Sequence, residues 1–229
     1  MSTLPLHKSA LTQSVAPSIA DTAPHPWLTR IGGGAFVAGP LAMLAFYTLN
    51  ERYLPRDDAR LYLGQIADLG NRFPAATIAY MVAAALNLVI ALAIVRLLGR
   101  RPSGLIAGGF TMLAALGSFG FGAMNLLLWA LVGELGVTDD LVRGYTAFQD
   151  SVGFLLLALI TLPAAIVANV ALLTGLLRSR VAPLWVPLVI VAGFVAGSGE
   201  FGRYGNIAGG ILALVAGVGL ARAFLAMEQ

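Results

Sequence analysis

From about residue 31 onward, long apolar stretches with at most one charged residue each alternate with polar ones. Six such stretches stand out, at about Ile31 to Leu49, Pro74 to Leu98, Gly104 to Val132, Phe148 to Leu177, Val181 to Gly197 and Gly205 to Phe224. A helix needs roughly 20 apolar residues to cross a bilayer, and run length of that order separates a span from a buried core helix. The pattern therefore predicts an all-α, polytopic integral membrane bundle of six transmembrane helices. The third stretch is long enough to tilt or protrude, and the fifth is at the short limit. Gly32, Gly33, Gly34, Gly39 and Pro40 predict weak opening turns and a bend in the first span, and Pro163 an interruption in the fourth. Pro74 stands where a first helical residue tolerates proline.

The polar stretches give the organisation. Residues 1–28, rich in Ser, Thr, Ala and Pro without periodicity, predict a disordered cytoplasmic tail ahead of a membrane domain over 29–229. Residues 51–73 are too charged to cross, yet Leu61, Leu63, Ile66 and Leu69 share roughly one helical face, and Asp68 and Arg72 are spaced i, i+4. That predicts a short interfacial amphipathic helix lying on the bilayer between spans one and two. Arg96, Arg100 and Arg101 follow span two, and Arg178 and Arg180 follow span four, whereas Arg143 and Arg203 stand alone after spans three and five. The arginine bias predicts a multi-pass protein of the cell membrane with both termini in the cytoplasm. Arg52, Arg56, Arg60 and Arg72 run against that bias, softened by Glu51, Asp57, Asp58 and Asp68. In span six, Gly205, Gly209, Ala213, Gly217 and Ala221 form a small-residue stripe for close helix approach, within the chain or between copies in a homo-oligomer.

Composition narrows the chemistry. Of 229 residues 59% are hydrophobic and 11% charged, against about a quarter charged in soluble domains, so the lipid bilayer is the expected partner. The pI near 9.6 reflects a net charge of only +3 from scattered arginines; with no basic stripe, nucleic acid is excluded as a partner. The absence of cysteine excludes disulfides, thiolate catalysis and iron–sulfur clusters. His7, His25 and Lys8 all lie in the tail, so the spans offer no imidazole for a metal or haem and no lysine for a Schiff base. No cofactor and no metal are expected.

Few residues are left to carry function. Gly197, Gly199 and Gly202 spell G-x-G-x-x-G, but between two spans rather than between a strand and a helix, which reads as a flexible loop. Asn87, Asn125 and Asn169 sit inside spans, where an amide needs a hydrogen bond; interhelical bonding and ligand contact are both open. At the outer ends, Glu134, Gln149, Asp150, Glu200, Arg203 and Asn206 converge on one membrane face, either as a site or as ordinary solvated charge. Asp150 is its foremost member, at the N-terminus of an apolar helix where the dipole favours an anion, with Arg203 as its expected counter-ion.

Several segments together resemble an uncharacterised family of bacterial, chiefly actinobacterial, six-helix membrane proteins. They are the polar N-terminal stretch and first span, the interfacial segment, Met124-Asn125-Leu126-Leu127, Asp150 with Gly153-Phe154, and Leu176 to Arg180 before Pro183-Leu184-Trp185. The resemblance covers about residues 29–195 and implies the fold without an activity. Members often carry a histidine after the Asp, where this chain has Ser151 and Val152, so no metal or proton-relay role carries over. Broken helices and polar groups within them lead to a non-enzymatic protein that binds or transports a small or lipophilic molecule. No internal repeat is evident. The alternative is a membrane-embedded enzyme using Asp150, Glu134 or Glu200 as general acid on a lipid or isoprenoid.

Overall fold

A computed structural model of the chain describes residues 26–50, 58–99, 101–197 and 202–227. Among them are eight helices and no strand: α1 (Pro26–Leu49), α2 (Ala59–Leu69), α3 (Arg72–Leu98), α4 (Pro102–Leu135), α5 (Asp139–Gln149), α6 (Val152–Ser179), α7 (Trp185–Ala196) and α8 (Gly202–Ala226). Five of these, α1, α3, α4, α6 and α8, are long and apolar enough to cross a membrane. The sixth apolar helix, α7, has 12 residues and so rises about 18 Å, less than the roughly 30 Å of a hydrocarbon core. The architecture is an all-helical bundle of membrane-protein character, with five helices long enough to span and one shorter apolar helix. The expected N-terminal tail lies almost wholly outside the described residues.

Neighbours pack in the order α6, α4, α3, α1, α8, α7, forming an arc whose two ends, α6 and α7, touch only sparingly. Small residues set the closeness of this packing. A Cβ on Gly217 would lie 2.0 Å from the Phe36 carbonyl oxygen, and one on Gly209 would lie 2.9 Å from Gly193 O. The stripe of α8 is thus divided between α1 and α7 of the same chain, with Ala213 facing the space between them. On α4, Gly108 meets α3 and Gly117 meets α6 in the same way.

The expected interruption at Pro163 is corrected, since α6 runs continuously through it, and α1 likewise stays helical through Pro40. Pro40 has no N–H for the Phe36 carbonyl four residues earlier. That freed carbonyl is the atom against which Gly217 packs, an approach that suits a Cα–H···O contact. Nor are the opening glycines weak, since α1 is helical from Pro26 and a Cβ on Gly32 would lie 2.8 Å from the Phe224 ring.

The amphipathic segment before α3 is helical, but its apolar face meets protein rather than lipid. Leu63 and Ile66 are 0% exposed, packed in a cluster with Phe73, Leu128, Val132 and Tyr145, whereas Leu61 is 55% exposed. Gly70, with φ 49°, ends α2, so Asp68 and Arg72 stand on either side of a tight turn rather than on one continuous helix. The sequence reading also lacked α5, which is capped by Thr138 Oγ1 accepting from Leu141 N at 3.3 Å. An Arg60–Asp139 ion pair links α2 to α5 across this end.

The two ends differ in charge. Arg30, Arg96, Arg101, Arg178, Arg180 and Arg222 gather at one end, with no acidic residue among those described there. The other end mixes Arg60, Arg72, Arg143 and Arg203 with six carboxylates, from Asp58 to Asp150.

Candidate binding cavity

Under α2 the bundle encloses a polar space. Asp58 caps α2 by accepting from Leu61 N at 2.9 Å, and this start places Tyr62 and Gln65, nearly one turn apart, on the inward face. The Tyr62 hydroxyl donates to Asn125 Oδ1 of α4 at 3.0 Å, and its ring stacks on Tyr145 of α5 at 5.5 Å. Gln65 Nε2 donates to Asn50 Oδ1, at the end of α1, at 3.4 Å. Tyr62, Asn125, Gln65 and Asn50, with Thr161 of α6 and Asn206 of α8, line a cavity of about 440 Å³. Its Thr161 hydroxyl is already committed to Leu157 O at 2.7 Å.

A second cavity of about 340 Å³ lies deeper, toward the arginine-rich end, walled chiefly by apolar groups such as Phe36, Ile94 and Leu172. The two cavities share Met43, Tyr47, Gly197 and Asn206 as lining, so they adjoin. Both volumes fall within the roughly 300–1,000 Å³ of small-molecule sites. No charged side chain among the described residues lines either one.

Asn206 stands at their junction. It is only 6% exposed, and its amide makes no hydrogen bond to any described residue. No buried side-chain nitrogen or oxygen of the described residues is sealed off without a partner, so this amide opens onto the cavities. No described residue satisfies its donor and acceptor, which suits both to an occupant of the cavities. Asn169 and Asn87 line an adjoining space of about 240 Å³; Asn169 Nδ2 donates back to Ala165 O at 2.8 Å.

The residues singled out in the sequence divide between cavity and surface. Asn125 and Asn206 line the polar cavity, and Gln149 Nε2 donates to the Tyr145 hydroxyl at 3.3 Å, behind the Tyr62 ring. Glu134, Asp150 and Arg203 lie at the same end but are exposed, and no ion pair joins Asp150 to Arg203. Asp150 is not a helix N-terminus, which corrects that reading: α5 extends through Gln149, and Ser151 caps α6 by accepting from Phe154 N at 3.3 Å. Glu200 lies outside the described residues. Tyr62, Gln65, Asn50 and Thr161 were not anticipated, although the Tyr62-x-x-Gln65 spacing on an amphipathic helix was there to be read. No protein-family model, no curated protein and no solved structure matches the chain.

Proposed function

We propose that the protein binds a small neutral amphipathic molecule inside the bundle, with a hydrogen-bonding head beside Asn206 and Asn125 and an apolar portion in the deeper cavity. The Asn206 amide, without a hydrogen bond to any described residue and buried where a polar space meets an apolar one, is the observation that carries this reading. Burying an amide without a partner costs about 1–3 kcal/mol, so a site that keeps one favours an occupant that satisfies it. No charged side chain among the described residues lines it, which favours a neutral head, since an ion there would be left uncompensated by them. The enzymatic alternative finds less support: Asp150 and Glu134 are exposed and line neither cavity.

The same reading has six crossings, with α7 and the residues that follow it as the fifth, and the arginine-rich end in the cytoplasm of a cell-membrane protein. The charge asymmetry between the ends supports that orientation. Ligand-dependent thermal stabilisation in detergent tests the binding. Monoolein should raise the Tm, with a gain approaching about 2.7 kcal/mol at a hundredfold excess over Kd, while oleate should not. No stabilisation by monoolein, or equal stabilisation by the anion, would rule the reading out.

A further inference from the structure

We infer that this ligand reaches the cavity sideways, from within the bilayer, through the seam between α6 and α7. The inference rests on the binding reading above and adds to it a class of ligand: molecules dissolved in the membrane rather than in water.

Close small-residue contacts join several neighbouring helices of the arc, but none joins its two ends. Gly217 against Phe36 seals α8 to α1, Gly209 against Gly193 seals α8 to α7, and Gly117 against Thr161 seals α4 to α6. Between α6 and α7 the contact is sparse, yet both helices wall the deeper cavity, through Asn169 and Leu172 on one side and Ile190 and Phe194 on the other. Phe194 lines that cavity while remaining 52% exposed, so its ring stands at the boundary between interior and lipid. The route from the watery end is roofed by α2, whose Tyr62, Leu63, Gln65 and Ile66 are all buried.

Chemistry along the seam matches a neutral passenger. The exposed side chains next to the cavity-lining positions are apolar on both helices, Val170 of α6 and Val191 of α7, so a passage between the helices excludes ions on desolvation cost. Asn169 stands on the way in; its Nδ2 is tied to Ala165 O, which leaves Oδ1 to accept from a hydroxyl or amide in transit.

Because the chain lacks cysteine, a single Ala213→Cys on α8 reports from the deeper cavity in vesicles of phosphatidylcholine. Membrane-dissolved pyrene maleimide should label it, and a water-soluble sulfonated maleimide should not. Adding Ile190→Trp should slow pyrene labelling about tenfold by filling the seam, and adding Phe194→Ala should speed it by a similar factor. Leu188→Trp, at an α7 position 69% exposed, should leave the rate unchanged. Labelling by the sulfonated reagent at the same rate, or rates indifferent to Phe194→Ala, would overturn lateral entry; Phe194→Ala decides the matter even if the tryptophan variant does not fold. Monoolein stabilisation of the Ala213→Cys protein separates the two ideas: if it persists while the seam variants have no effect, the route is wrong and the binding stands.

Discussion

Gly217 has no room for a side chain, because a Cβ there would lie 2.0 Å from the Phe36 carbonyl that Pro40 leaves free. Gly217→Ala should therefore cost about 1–3 kcal/mol through forced separation of α1 and α8. Gly34→Ala, where a Cβ meets nothing within 4 Å, should instead be neutral or stabilising by up to about 1 kcal/mol. Thermal unfolding in detergent compares the two directly, and equal losses would refute the packing argument. At the other end, Asp150 and Arg203 are exposed and unjoined, so Asp150→Ala and Arg203→Ala should each shift stability by no more than about 0.5 kcal/mol and should add without coupling in a double-mutant cycle. The four-residue spacing that marks Gly217 is visible in the sequence, but not its partner, since which carbonyl a glycine meets depends on how two distant helices cross. Asn206 is equally visible as a polar residue in an apolar run. Spacing alone grouped it with Arg203 and Asp150; the turn of α8 instead points it inward to Tyr47 and Asn125, and leaves Arg203 outside.

Among the helices, α2 separates two pictures of the molecule's watery end. Docked on protein, it should lose about 2–5 kcal/mol on Leu63→Ala, at a position 0% exposed, while Leu61→Ala, at one 55% exposed, should stay within about 0.5 kcal/mol. Were α2 lying on lipid, the two leucines would behave alike, and an unfolding comparison would show it. Periodicity revealed this helix but misjudged its face, because Tyr62 and Gln65 count as polar in a sequence and yet centre the buried side. The helix α5 escaped notice for a related reason. Its cap at Thr138 and its apolar Leu141, Val142, Tyr145 and Phe148 have the right spacing, but its acidic first turn reads as loop. The boundary between α5 and α6 then moved Asp150 from the start of one helix to the end of another.

For the whole molecule, the all-helical class and the membrane-crossing length of its helices follow from run length, and the arginine bias carries the proposed sidedness. Single cysteines at Thr138 and at Pro183, both exposed and at opposite ends, should be labelled from opposite sides of the membrane by an impermeant maleimide, Pro183→Cys only from the cytoplasm. Labelling of both from one side would require an odd number of crossings between them to be wrong, and with it the assignment of α6 as a span. What no sequence pattern supplied is the arc itself and the adjoining polar and apolar cavities, which arise only when five spans and α7 assemble. The most direct test of the account is native mass spectrometry of the protein released from nanodiscs that contain monoolein. The wild type should carry one monoolein adduct, and Asn206→Leu, which removes an amide that no described residue satisfies and leaves the charge unchanged, should fold at least as stably and carry none. Equal occupancy in both proteins, or none in the wild type, would contradict a binding site built on Asn206.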